Sequence, residues 1–153
     1  MNDNIEYEKF TQEIYNEILK NLYVKNMDVK HNVKLTGKSG QKHQIDVYWE
    51  YQYDNTTFKI AIECKNYNHT VSIGKVRDFF GVLYDLEDVK GIMVTKKGYQ
   101  EGAKKFGEHY GIDLMELREP EEGEAIVAET TLTIGSSVRH RLFQVDEDWA
   151  KAH

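Results

Sequence analysis

The sequence is poor in the residues that define several protein classes. Among 153 residues it has one cysteine, Cys64, and one proline, Pro120. A single cysteine leaves no internal disulfide and no cysteine-rich zinc site. One Pro with 11 Gly excludes a collagen-like chain. Long apolar runs are also missing. The longest, Phe79 to Tyr84, has six residues including Gly81, far short of the ~18 that span a membrane. Met1 to Lys9 is acidic and polar, unlike a secretory signal. These absences lead to the expectation of a cytoplasmic protein with no membrane partner. What is present is core material: 40% hydrophobic and 12% aromatic residues, with ten Tyr. That suits one folded domain, in which a chain of this length buries roughly 70% of its unfolded surface.

The net charge of −6 is unevenly distributed. Residues 1–22 carry −3 and residues 107–153 carry −7, whereas residues 23–106 carry 14 basic against 10 acidic side chains. A basic middle is compatible with a polyanionic partner, and acidic ends do not forbid one.

Periodicity orders the chain. Residues 5–22 read as a helix with Ile5, Phe10, Ile14, Ile18 and Leu19 near one stripe, flanked by Tyr7 and Tyr15. Val29, His31, Val33 and Leu35 alternate with polar residues, as in a half-exposed strand, and Gly37 to Gly40 is a turn. Alternation is strong from His43 to Tyr53, with Ile45, Val47, Trp49, Tyr51 and Tyr53 expected on one face. A turn near Asp54-Asn55 leads to a strand from Phe58 to Lys65, with Phe58, Ile60, Ile62 and Cys64 on one side. A helix is expected over about 74–86, a covered strand over 91–95, a helix over 98–110 and a last core strand over 112–117. The order α-β-β-β-α-β-α-β predicts an α/β fold, a mixed sheet flanked by helices. Residues 120–153 form an acidic C-terminal extension, β-prone from 125 to 134 and amphipathic from 142 to 152. Their apolar side chains lead us to expect that this extension packs on the domain formed by residues 1–119.

Asp46, Glu63 and Lys65 carry the chemistry. A carboxylate inside an apolar strand is costly unless paired or bound to metal, and both Asp46 and Glu63 sit in such runs. Glu63 and Lys65 are two apart and project from one face. If Asp54-Asn55 is the turn, Asp46 lies opposite Glu63; if it is Asn55-Thr56, Asp46 lies opposite Lys65. Both registers unite the three groups. Two carboxylates so close repel unless a cation lies between them. Oxygen ligands favour Mg²⁺, with Mn²⁺ as a substitute, and a neighbouring Lys is suited to orienting an attacking water. The chemistry points to phosphodiester hydrolysis.

His43-Gln44-Ile45-Asp46-Val47, then Ile62-Glu63-Cys64-Lys65-Asn66-Tyr67, then Gly91-Ile92-Met93-Val94-Thr95 with Ala103 and Gly111-Ile112, resembles the Mrr-like branch of the PD-(D/E)XK nucleases. The resemblance covers roughly residues 6–118. It implies a restriction-endonuclease-like fold, a divalent metal and cleavage of DNA. By that likeness Asp46 and Glu63 are metal ligands and Lys65 acts on the attacking water. A first-helix Glu often helps hold the metal in this family; Glu13 is the best match, ahead of Glu17 and Glu8. A restriction or defence setting is implied, against two alternatives: a repair or junction-resolving nuclease, and a non-cleaving binding module of the same fold. A double-strand break needs two sites, most simply a homodimer.

Further contacts to DNA are expected from Gln44, Lys38, Lys42 and Asn66, and from Lys96 and Lys97 at a turn that begins a helix. Cys64 reads as a small core residue and His43 as a solvated strand-end residue. The remaining histidines show no zinc spacing.

Overall fold

Asp54 and Asn55 adopt left-handed backbone angles, φ 50° and 64°. Asp and Asn tolerate that region, and a two-residue turn of this kind matches the twist of a hairpin. It joins β2 (Lys42–Tyr53) to β3 (Thr56–Lys65) with Tyr53 opposite Thr56 and Val47 opposite Ile62. Of the two expected registers, this is the one that brings Asp46 towards Glu63.

The computed structural model describes residues 3–20, 28–118, 130–134 and 138–142. The other elements are α1 (Asp3–Lys20), β1 (Lys30–Thr36), α2 (Ile73–Leu86), β4 (Val89–Thr95), α3 (Glu101–Tyr110), β5 (Asp113–Glu116), β6 (Thr130–Ile134) and β7 (Val138–Leu142). Strands β1 to β5 form one sheet in chain order. β1, β2 and β3 are antiparallel, and β4 and β5 run parallel to β3. This is the expected mixed sheet: hairpins join the antiparallel strands, and the helices α2 and α3 make the parallel crossovers. β6 and β7 form a separate antiparallel pair. The amphipathic stretch expected over 142–152 lies outside the described residues beyond Leu142.

Helices cover both faces of the sheet. On one side Ile14, Tyr15, Ile18 and Leu19 of α1 pack with Val47, Trp49, Ile60, Ile62, Ile92 and Val94, and the Tyr15 and Trp49 rings lie 5.5 Å apart. On the other, Val76 and Phe79 of α2 and Ala103 of α3 pack with Met93, Tyr99 and Ile112. Each fully buried large side chain contributes ~1.5–3 kcal/mol by leaving water. β4 is covered on both sides, with Gly91 to Thr95 all buried, as its unbroken apolar run implies. At Gly91 a Cβ would fall 2.3 Å from Leu83 and 3.0 Å from Phe79, so glycine sets how closely α2 docks. In α1 the expected stripe holds at Ile14, Ile18 and Leu19 and extends to the flanking Tyr7 and Tyr15, which are buried, while Ile5 is 40% exposed. The long tyrosines reach further into the core, and Tyr7 donates its hydroxyl to the Leu117 carbonyl at 2.6 Å.

The single-face alternation expected along β1 and β2 fails at one place in each strand. Val29, Val47, Trp49 and Tyr51 belong to the α1 side. Ile45, Val33 and Leu35 belong instead to a cluster with Leu83 and Leu86 of α2. The cause is Asn32, whose φ of 59° is left-handed. The register carries Asn32 to the position opposite Asp46, between the pairs His31–Val47 and Val33–Ile45. The pleat reverses there, so the outer part of the β1–β2 hairpin wraps over α2.

Asp85, in the last turn of α2, fastens that outer part. Its carboxylate accepts hydrogen bonds from the Ser39 amide (2.8 Å), the Ser39 hydroxyl (2.7 Å) and His43 Nε2 (2.7 Å). These bonds, His43 first, lower the Asp85 pKa to about 2. His43 is therefore tied to α2 and half-buried, a correction to its expected place as a solvated strand-end residue. Gly37 gives the carboxylate room, since a Cβ there would lie 2.0 Å from Asp85 Oδ2.

The reversal at Asn32 yields a stability prediction. A β-branched residue in the left-handed region costs about 1–2 kcal/mol, whereas glycine enters it freely. Asn32→Val should lower the urea midpoint clearly more than Asn32→Gly. Equal midpoints for the two variants would show that the left-handed turn is not built into the strand.

Candidate active site

The β2–β3 ladder pairs Val47 with Ile62, and beyond that pair the two strands part. β3 continues through Glu63, Cys64 and Lys65 with β4 as its parallel neighbour, ending with Lys65 opposite Thr95. The amide of Cys64 is met by a side chain: it donates to Asp46 Oδ2 at 2.8 Å. Asp46 thus stands at the pleat reversal in β2 and closes the gap where β2 leaves β3. Thr95, fully buried, donates its hydroxyl to the Lys65 carbonyl at 2.8 Å and secures the end of β3.

Glu63 and Lys65 are half-buried, with Lys65 Nζ 3.6 Å from Glu63 Oε1. Burial raises the Asp46 pKa to about 7; the Cys64 amide opposes this, while the charges of Glu63 and then Glu8 add to it, and Lys65 opposes them. The structure therefore brings together the three residues singled out by sequence, half-buried and with interacting charges, where β2 and β3 part. Glu8 is the carboxylate that α1 adds. Glu13 is exposed and lies about 140° round the helix from Glu8. Glu8 sits one turn before Gln12 on the side of α1 that meets β1: Gln12 donates to the Val29 carbonyl at 2.7 Å and Glu8 accepts from His31 at 3.3 Å. Glu8 therefore lies beside the buried face of α1, whereas Glu13, the residue the family likeness favoured, lies away from it. The signal that finds Glu8 is the stripe Glu8, Gln12, Tyr15, Leu19, spaced four, three and four.

Cys64 behaves as expected. Burial, and then the charge of Asp46, push its thiol well above the ordinary range, against a hydrogen bond from Thr11. An unionised buried thiol is a poor nucleophile.

The expected DNA contacts divide into two groups. Asn66 follows Lys65, and Lys96 and Lys97 follow Thr95, so all three lie just past the C-terminal ends of β3 and β4. Lys96 Nζ lies 5.5 Å from the centre of the Tyr7 ring. Lys38 is elsewhere. It lies 5.0 Å over the Tyr84 ring and lines a cavity of about 330 Å³ with Glu87, Asp88, Val89 and Lys90, at the N-terminal end of β4. Gln44 and Lys42 are exposed on the outer hairpin, opposite Lys34 and Thr36. The structure therefore does not gather Lys38 with the carboxylates.

Oxygen donors alone make up this site. Among the described residues no group of three or more His, Cys, Asp or Glu side chains gathers at metal-binding distance. The donor set suits a hard cation that keeps several waters and takes further oxygens from a phosphate, as Mg²⁺ does. The raised Asp46 pKa fits the same reading, because burial first and the Glu63 charge after it disfavour a bare carboxylate, which a proton or a cation relieves.

Residues 3–120 match the Mrr_cat family, restriction endonuclease. The chain belongs to this restriction endonuclease family. Among solved structures, the Mrr_cat chain is similar to AF1548, a protein of unknown function, with TM-score 0.57, 22% identity, and 75% of this chain and 61% of that chain covered. It is also similar to Can2 from Sulfobacillus thermosulfidooxidans in complex with cyclic tetra-adenylate, with TM-score 0.55, 17% identity, and 71% and 31% covered. Both likenesses concern the fold, and the Mrr_cat chain spans less than two thirds of each neighbour. No curated protein matches it. No helix among the described residues is long and apolar enough to cross a membrane.

The Asp46 environment of this Mrr_cat domain predicts a pH dependence. Its folded pKa of about 7 exceeds the ~3.9 of an unfolded Asp. The proton it retains favours the folded state, fully below about pH 4, and that contribution is lost as pH rises towards 7. In EDTA the melting temperature should fall from pH 5 to pH 8 by more in the wild type than in Asp46→Asn. An identical fall in both proteins would remove Asp46 as the source.

Proposed function

We propose that the chain is a Mg²⁺-dependent DNA endonuclease acting in restriction or defence, with Mn²⁺ able to replace Mg²⁺. The observation that carries this reading is the meeting of Asp46, Glu63 and Lys65 where β2 leaves β3. Asp46 and Glu63 would hold the metal, and Glu8 adds negative charge on the α1 side. When bound, the metal supplies polarisation of a phosphoryl oxygen and acidity to water at neutral pH. Lys65 stands beside Glu63 with its ammonium group available to orient the attacking water and steady charge on the phosphate. Asn66, Lys96 and Lys97, just past the ends of β3 and β4, would supply an amide and positive charge for contacts to the phosphate backbone, which position DNA without reading its sequence. Cutting both strands requires two such sites, which a two-fold homodimer provides.

A non-cleaving module of the same fold has no use for a half-buried carboxylate pair, which destabilises the protein unless a cation neutralises it. The retained Asp46, Glu63 and Lys65 therefore favour catalysis over binding alone.

A plasmid-nicking assay with Mg²⁺, Ca²⁺ and EDTA lanes tests this. Supercoiled DNA should be cut with Mg²⁺ and left intact with EDTA. Asp46→Asn and Glu63→Gln should each abolish cutting while the protein stays folded. Lys65→Ala should slow it about 10²–10⁴-fold with Mg²⁺ binding retained. Full activity of either carboxylate variant would refute the site, and lost metal binding in Lys65→Ala would make that lysine a structural ion-pair partner.

A further inference from the structure

Two ties hold α1 against β1. Gln12 Nε2 donates to the Val29 carbonyl at 2.7 Å, and His31 Nε2 lies 3.3 Å from Glu8 Oε1. Four helix residues rise about 6 Å and two strand residues about 6.7 Å, so the two ties fit the same docking. An ionised carboxylate only accepts hydrogen bonds, which makes His31 Nε2 the donor. Both side chains of the pair are mostly covered, at 18% and 13% exposed.

An ordinary helix–strand pair would account for the contact itself, though not for the backbone that creates it. With regular alternation His31 would share the face of Val33 and Leu35, which pack with Leu83 and Leu86 on the α2 side. His31 reaches α1 because Asn32, next to it, takes φ 59°. The position opposite Asn32 is Asp46. One backbone reversal thus serves two side chains: it places Asp46 at the gap beside Cys64 and turns His31 towards Glu8, whose charge acts on Asp46.

We infer that His31 is a positioning residue that holds the Glu8 carboxylate towards the Asp46 side of the metal site, with the left-handed Asn32 as the feature that aims it. This rests on the proposed metal site at Asp46 and Glu63. His31 touches neither metal nor DNA in this scheme; it acts through Glu8. Hydrogen-bond partners of a metal's own ligands commonly change affinity about 10–100-fold when removed, and His31, acting through the charge of Glu8, belongs at the low end of that range.

Calorimetric titration of the full chain with Mn²⁺ alone, without DNA, tests the inference separately from cleavage. His31→Ala should weaken Mn²⁺ binding about tenfold or more, and His31→Gln, which keeps a donor at similar reach, should restore most of it. Because His31 acts through Glu8, adding His31→Ala to Glu8→Ala should weaken binding no further. Thermal melting in EDTA accompanies each titration; should His31→Ala unfold, His31→Gln and His31→Asn decide the matter, the first binding Mn²⁺ nearly as the wild type does and the second, too short to reach Glu8, binding it about tenfold more weakly. Unchanged affinity in His31→Ala, no recovery in His31→Gln, or additive losses in the double variant would each overturn the inference. Asp46→Asn separates the two levels. If it leaves Mn²⁺ binding intact the metal site itself is wrong, whereas lost binding there with unchanged binding in His31→Ala rejects His31 alone.

Discussion

The hydrogen bond from the Cys64 amide to Asp46 Oδ2, 2.8 Å long, sits where two demands on the sheet conflict. β3 must continue beyond Ile62 to pair with β4, while β2 must depart so that its outer half can cover α2. Parting two strands leaves inner backbone groups without their ladder partners, at a cost comparable to a lost hydrogen bond each. Asp46 meets that cost with a side-chain oxygen. A carboxylate is thereby fixed at the mouth of the gap, and Glu63 and Lys65 follow on the strand that continues. The geometry of the candidate site is a consequence of how the sheet splits.

That arrangement leaves an electrostatic imbalance. Burial, then the charges of Glu63 and Glu8, favour a neutral Asp46, and the Cys64 amide, with a smaller effect of Lys65, offsets them only in part. A folded domain rarely keeps such a group without function, since replacing it with a neutral residue of the same shape would relieve the strain. Under the proposed function, a divalent cation would resolve the imbalance with every residue kept. The positive groups that would meet a phosphate backbone, Lys96 and Lys97, come from the parallel half of the sheet, where β4 ends level with Lys65. The antiparallel half thus supplies Asp46, β3 supplies Glu63 and Lys65, and the crossover connection supplies the lysines.

Most of this fold was legible in the sequence because its signals are local. The tight Asp54-Asn55 turn set the β2–β3 register, the apolar run at Gly91–Thr95 marked a doubly covered strand, and the alternation in β3 separated Cys64 from Glu63. The site triad followed from the same register. What was not legible depended on tertiary contact. Nothing in the pattern around Asn32 announces a left-handed residue in mid-strand, so Ile45 was expected on the face of Val47 although it packs against α2. In α1 two flanking tyrosines enter the core because of their length, and it is the contact with His31 that marks Glu8, not Glu13, as the glutamate on the β1 side. His43 and Lys38 belong to a hairpin tip held by Asp85, a residue 42 positions beyond His43 that sequence spacing could not pair with it.

The central claim is that the split between β2 and β3 creates one divalent-cation site shared by Asp46 and Glu63. Diffraction from crystals soaked in Mn²⁺, with anomalous differences collected near the manganese edge, tests it most directly. The account predicts an anomalous peak bridging oxygens of Asp46 and Glu63, at about 2.0–2.2 Å from each as expected for a small hard cation. A well-occupied peak elsewhere in the domain, with the two carboxylates free of metal, would contradict it.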